Sequence, residues 1–222
     1  SDVYKRQAAS DVYKRQVLEM NRKSSYLNIE FLSACTEAKL YPDDFGNEVA
    51  ICGRSNSGKS SIINALANSK KLAKTSNTPG RTQSINFFSI NSDVDYKLVD
   101  LPGYGYAKAS KKMQKDWGRQ ITNYMNSRES LRGIILIMDI RHPFQKADQD
   151  FLAWCRQYHL PVQLLLNKAD KLSRNQGLNV LSASKKELIN LELLNEPLLF
   201  SAKTHDGVEQ LTKNILSWVE SA

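Results

Sequence analysis

No apolar run in the 222-residue chain approaches the roughly 18 residues that a membrane-spanning helix needs, so no such span is expected. The amino terminus lacks the apolar core of a signal peptide. Cysteine is scarce: Cys35, Cys52 and Cys155 are odd in number and widely spaced. They fit no zinc pattern and point to free, buried thiols in a reducing, cytoplasmic setting. The three histidines, His142, His159 and His205, suggest neither a Ser/His/Asp triad nor a structural zinc site. What remains is ample for one buried α/β domain, since 41% of residues are hydrophobic.

Charge is unevenly placed. The net charge is +8, and residues 68–119 hold ten Lys/Arg against four Asp/Glu. A single basic region suggests a polyanionic partner more than general solubility. The first sixteen residues contain SDVYKRQ twice, at Ser1–Gln7 and Ser10–Gln16. A nine-residue period matches no repeat architecture, so residues 1–19 read as a sequence-record artefact or disordered tail, with Met20 as a native start. Residues 20–44 read as an N-terminal extension and 45–222 as the main folded domain.

Apolar runs alternate with amphipathic stretches. Strands are expected at Glu48–Cys52, Ser84–Ile90, Tyr96–Asp100, Gly133–Asp139, Val162–Asn167 and Leu198–Ser201, with a polar turn at Asn91–Asp95. Helices are expected at Lys59–Asn68, Ser110–Arg128, Gln145–Tyr158, Arg174–Leu194 and Val208–Val219. In the second of these, Met113, Trp117, Ile121 and Tyr124 share a face. GIILIMD at Gly133–Asp139 reads as a strand buried on both faces. The alternation predicts an α/β fold with a mostly parallel six-stranded sheet and helices on both faces.

Gly53, Arg54, Ser55, Asn56, Ser57, Gly58, Lys59 and Ser60 spell GRSNSGKS, a full match to G-x-x-x-x-G-K-[ST] between a strand and a helix. Such a loop lets successive N–H groups converge on phosphate oxygens, aided by the helix N-terminus. Lys59 is expected to reach the β- and γ-phosphates, and the Ser60 hydroxyl to ligate Mg2+. Asp100, Leu101, Pro102 and Gly103 form DLPG after the next strand pair. Asp100 can hold the metal through water, and the Gly103 N–H can meet a γ-phosphate. Asn167, Lys168, Ala169 and Asp170 form NKAD after an apolar strand. The Asp170 carboxylate can accept from guanine N1–H and the 2-amino group, which adenine cannot supply. Lys168 can lie along the base, and Asn167 can tie this loop to the P-loop. Ser201, Ala202 and Lys203 (SAK) follow the last strand and can offer a backbone N–H to guanine O6.

In this order the motifs resemble the Ras-like GTPases. Their details resemble the bacterial EngB family, also called YihA or YsxC, within the TrmE-Era-EngA-EngB-septin group. The resemblance rests on GRSNSGKSSIINAL, TSNTPGRTQSINFF, LVDLPGYGYA, DIRHP, LLNKADKL and the SAK turn. It implies that Thr82, in the segment Gly80, Arg81, Thr82, Gln83 and Ser84, ligates Mg2+ and senses the γ-phosphate. Lys59, Thr82 and Gly103 would then be the catalytic group. Asn56 matches an asparagine that helps bind K+ in related GTPases. The family resemblance also implies a cytoplasmic monomer acting in large-subunit ribosome assembly and needed for cell division and septation. Tyr104 stands where Ras-like enzymes carry the water-orienting glutamine, which predicts slow intrinsic hydrolysis.

The basic region surrounds both presumed switch segments. It includes Lys70, Lys71, Lys74, Arg81, Lys108, Lys111, Lys112, Lys115 and Arg119, with Tyr104, Tyr106 and Trp117 interleaved. Taken together it suggests a ribosomal large subunit or its rRNA as partner, although Trp117 itself reads as core. The competing readings are an ATP-using P-loop enzyme and a binding module whose nucleotide is purely structural.

Overall fold

The fold is built around two central strands that are buried along most of their length. A computed structural model describes residues 25–73, 84–104, 111–193 and 195–220, with the backbone alone for 111–117. In chain order the elements are β1 (Ile29–Cys35), β2 (Asn47–Gly53), α1 (Lys59–Leu66), β3 (Ile85–Ile90) and β4 (Asp93–Asp100). They continue with α2 (Lys111–Ser127), β5 (Leu131–Asp139), α3 (Lys146–Gln157), β6 (Val162–Asn167), α4 (Arg174–Asn190), β7 (Leu198–Leu199) and α5 (Val208–Glu220). The sheet runs β1-β3-β4-β2-β5-β6-β7. The pairs β1–β3 and β3–β4 are antiparallel, and the others are parallel. The mostly parallel α/β sheet expected from the sequence is present. Among the described residues it has seven strands rather than six, because the segment read as an extension supplies β1 at one edge.

Side-chain alternation along the central strands sorts the core into two layers. Ala50 and Cys52 of β2, with Ile134, Leu136 and Met138 of β5, face a cluster that includes Ile121 and Tyr124 of α2 and Phe151, Leu152 and Cys155 of α3. Leu188 of α4 joins the same layer. Val49, Ile51, Ile135 and Ile137 face the opposite layer, which holds Ile62, Ile63 and Leu66 of α1 and Val208, Leu211, Ile215 and Val219 of α5. Helices therefore cover both faces. The helix α5 approaches β5 closely at Gly133, where an added Cβ would lie 2.7 Å from the Trp218 ring. The three cysteines are free and buried, as expected. Met113 and Trp117 lie outside the described side chains.

The turn between β3 and β4 is tighter than the polar stretch suggests. Asn91 (φ 57°) and Ser92 (φ 58°) form a two-residue connection, and β4 resumes at Asp93. Positive φ at both central positions matches the strand twist, and asparagine tolerates it.

At the end of the sheet where β2 begins, a charged cluster is buried. Glu48 is fully buried, with Lys97 2% and Arg128 8% exposed. Glu48 is paired with the Arg128 guanidinium, and Tyr124 Oη donates to Glu48 Oε2 at 2.9 Å. Lys97 Nζ stands 4.0 Å from Glu48 Oε1. The same cations reach back to the preceding segment: Arg128 Nη1 donates to Pro42 O at 2.8 Å and Lys97 Nζ to Phe45 O at 2.7 Å. Burial holds the Lys97 ammonium below its usual pKa.

Candidate nucleotide site

The P-loop is held open by backbone geometry and by clamps from three other elements. After β2 the chain turns through Asn56 (φ 65°) and Gly58 (φ 99°) before α1 begins at Lys59. Glycine is needed at position 58, because a Cβ there would collide with the Asn167 side-chain amide. That amide donates to Ser57 O at 2.8 Å. Lys168 Nζ donates to Asn56 O at 2.7 Å. The two residues at the end of β6 thus grip the P-loop, the tie expected of Asn167.

The DLPG turn is joined to the same loop. Leu101 N donates to Ile51 O at 3.0 Å, Tyr104 N to Gly53 O at 3.2 Å, and Ser55 N to Tyr104 O at 2.8 Å. Asp100, at the end of β4, pairs with the Lys59 ammonium and accepts from Asn86 Nδ2 at 3.1 Å. Ser84 Oγ in turn donates to Asn86 Oδ1 at 3.0 Å. A hydroxyl (Ser60) and a carboxylate (Asp100) near a phosphate loop form a hard-oxygen set that suits Mg2+. Among the described residues no three His, Cys, Asp or Glu side chains cluster to cage a metal.

The NKAD segment, expected to read the base, lies beside the clamps. Asp170 sits in a single 3-10 turn, Ala169–Lys171. Its Oδ1 accepts from Ser201 Oγ at 2.8 Å, and Ala169 N donates to Phe200 O at 3.0 Å. The Ser201 hydrogen bond is the main reason the Asp170 carboxyl is held below the usual carboxylate range. An ionised Asp170 is acceptor-only, as guanine recognition needs. SAK and NKAD are therefore neighbours, and the P-loop and DLPG complete one contiguous site at the C-terminal ends of β2, β4 and β6.

Two supporting roles do not follow from the motifs, although Asp139 and Arg141 lie in DIRHP and Arg54 in the P-loop. Asp139, at the end of β5, accepts from Lys168 Nζ at 2.9 Å. It also receives Arg141 Nε at 2.9 Å and Nη2 at 2.7 Å. Burial opposes its ionisation, but these donors win and hold it well below the usual range. Asp139 thus aims the Lys168 stem. The available signal was an aspartate closing an apolar strand, as Asp100 does. The second support involves Arg54. Its guanidinium reaches Asp148 Oδ2 at 3.4 Å and His142 O at 3.4 Å.

Tyr104 is 4% exposed. Its hydroxyl donates to Asp148 Oδ1 at 2.8 Å, and its ring stacks on Phe151 with centroids 5.6 Å apart. It is committed to the core beneath the site. Gly80, Arg81, Thr82 and Gln83 lie outside the described residues, as do Lys74, Tyr106 and Lys108 and the side chains of Lys111, Lys112, Lys115 and Trp117.

Fold and site together define a P-loop GTPase. The family profile described as 50S ribosome-binding GTPase matches residues 48–168. The chain is 41% identical over 199 residues to the "Probable GTP-binding protein EngB" of Mannheimia succiniciproducens, spanning 90% of this chain and 96% of that protein. It is 40% identical over 196 residues to the namesake in Haemophilus influenzae, spanning 88% and 95%. The chain belongs to the EngB family of GTP-binding proteins. Among solved structures, an EngB crystal structure superposes with TM-score 0.62 at 22% identity, covering 79% of this chain and all of that one. A point variant of Aquifex aeolicus Era bound to GDP.AlF4- gives 0.64 at 22% identity, covering 81% of this chain and 58% of that one. Era in complex with MgGDPNP and nucleotides 1506–1542 of 16S ribosomal RNA gives 0.64 at 22%, covering 80% and 58%.

Proposed function

We propose that this GTPase is a cytoplasmic switch that acts, as a monomer, in assembly of the large ribosomal subunit, and that normal cell division and septation depend on it. The observation that carries the reading is the grip of the guanine-reading strand end on the phosphate loop, Asn167 on Ser57 and Lys168 on Asn56. One ligand can then be read at both ends. Lys59 would leave Asp100 for the β- and γ-phosphate oxygens when the nucleotide enters. Ser60, Thr82 and, through water, Asp100 would hold Mg2+, which supplies charge neutralisation at the phosphates. Gly103 would donate its N–H to the γ-phosphate, and Asn56 would take part in holding K+. Residues 45–222 would carry all of the nucleotide contacts.

Intrinsic hydrolysis should be slow. The Tyr104 hydroxyl is bonded inside the core and has no free pair of donor and acceptor with which to orient water. Single-turnover phosphate release by the purified chain, run in potassium and in sodium, should fall in the range of unassisted GTPases, about 10⁻⁴ to 10⁻² per second. A rate near 10 per second without a partner would refute it.

The partner reading rests on the basic region. Lys70, Lys71 and Arg119 are exposed and make no ion pair among the described residues. The family description, and the ribosomal RNA bound by the Era neighbour, support a partner of this chemistry. Co-sedimentation with large ribosomal subunits should appear with a GTP analogue, weaken with GDP, and fall roughly tenfold or more between 50 and 200 mM salt. Association blind to nucleotide and salt would sink the proposal.

A further inference from the structure

The site contains a buried acid that no phosphate or base contact uses. Asp148, in the first turn of α3, is fully buried. Its oxygens receive three donors from three segments: Tyr104 Oη at 2.8 Å, Gln145 N at 3.0 Å and the Arg54 guanidinium at 3.4 Å. One carboxylate thus joins the residue that follows DLPG, the second residue of the P-loop and the start of a helix. The main chains of the first two are already paired as a short parallel bridge, Arg54 with Tyr104. The Cβ position of Gly103 lies 3.4 Å from Gly53 O. Any shift of Tyr104 would therefore swing the Gly103 N–H relative to the phosphate loop.

We propose that Asp148 is a positioning residue of the γ-phosphate site, acting through Tyr104 and Arg54 to fix the DLPG turn against the P-loop, and so sets how tightly GTP binds relative to GDP. The stack of Tyr104 on Phe151 and the parallel bridge hold the same register, with Asp148 the polar end of that clamp. Burial pushes both the Asp148 carboxyl and the Tyr104 phenol above their usual pKa values, which keeps the phenol a donor throughout the physiological range. The ordinary alternative is an acidic residue that only stabilises the start of a helix. That role would affect folding and both nucleotides alike. GDP has no γ-phosphate, so the orientation of Gly103 matters for GTP alone.

The inference rests on Gly103 as the γ-phosphate contact, and the experiment separates the two. Affinities for GDP and for a non-hydrolysable GTP analogue are measured on the whole chain with Mg2+, alongside the melting temperature with GDP bound. Tyr104→Phe keeps the ring stack and removes one hydrogen bond. It should weaken the analogue about tenfold, the effect of one bond to a charged group, and leave GDP within about twofold. Asp148→Asn keeps an acceptor for the phenol and should lose only about threefold on the analogue, which also decides the matter should Tyr104→Phe not fold. Equal losses for both nucleotides, or an unchanged ratio in the folded variants, overturn the inference. Gly103→Pro, which removes that N–H, is the control: if it leaves the ratio unchanged, the γ-phosphate reading itself fails.

Discussion

Asp170→Asn should move nucleotide preference from GTP toward XTP, with a combined change on the order of 10⁴-fold. An ionised carboxylate is acceptor-only and would meet two donors on guanine. An amide offers a donor to the C2 oxygen of xanthine and leaves guanine mismatched. The hydrogen bond from Ser201 Oγ fixes one carboxylate oxygen, so the side chain cannot simply rotate to hide the mismatch. Competition binding among GTP, ATP and XTP measures the effect. Retained GTP selectivity in the variant would mean that the base is read elsewhere, and equal ATP binding by the wild type would remove the guanine assignment altogether.

The second large effect lies at the far end of the sheet. Arg128→Met should destabilise the fold by about 3–5 kcal/mol, because it leaves the buried Glu48 carboxylate without its main counter-charge. It also frees the Pro42 carbonyl from its 2.8 Å donor. For a domain of this size that corresponds to a fall in melting temperature of about 10 °C. Urea unfolding of Arg128→Met, Glu48→Gln and the double variant checks it. The double variant should recover part of the loss, since Glu48 and Arg128 are then both neutral and only the Lys97 ammonium is left without its carboxylate. A single-variant loss below about 1 kcal/mol would show that Lys97, 4.0 Å away, compensates the acid by itself.

What could be read from the sequence depended on how local the signal was. GRSNSGKS, DLPG and NKAD are contiguous, and each follows an apolar strand, so their convergence follows from parallel topology alone. Val162–Asn167 was placed to the residue for the same reason. The strand β1 was missed because its buried residues lie only at its ends, Ile29 and Cys35, with Phe31 and Leu32 exposed between them. No alternation survives in such an edge strand with a register shift. The Glu48 cluster was invisible because its members lie up to 80 residues apart and charged residues are normally read as surface. Asp148 was hidden the same way, as one acid among several in a polar helix start, its role set by a phenol and a guanidinium from other segments. Asp139 opens the DIRHP segment, but its contact with Lys168 crosses between two strand ends and is not visible in either motif alone.

The edge strand β1 has a bearing on what counts as the smallest working piece. It pairs with β3 along six residue pairs, from Ile29–Ile90 to Cys35–Ile85, and it contributes no nucleotide-binding motif. A chain trimmed to start at Phe45 would keep every motif yet leave the amides and carbonyls of β3 along that side unsatisfied, a template for another copy to add itself. The shortest piece that can recognise a guanine nucleotide and the shortest piece that stays monodisperse are therefore different lengths.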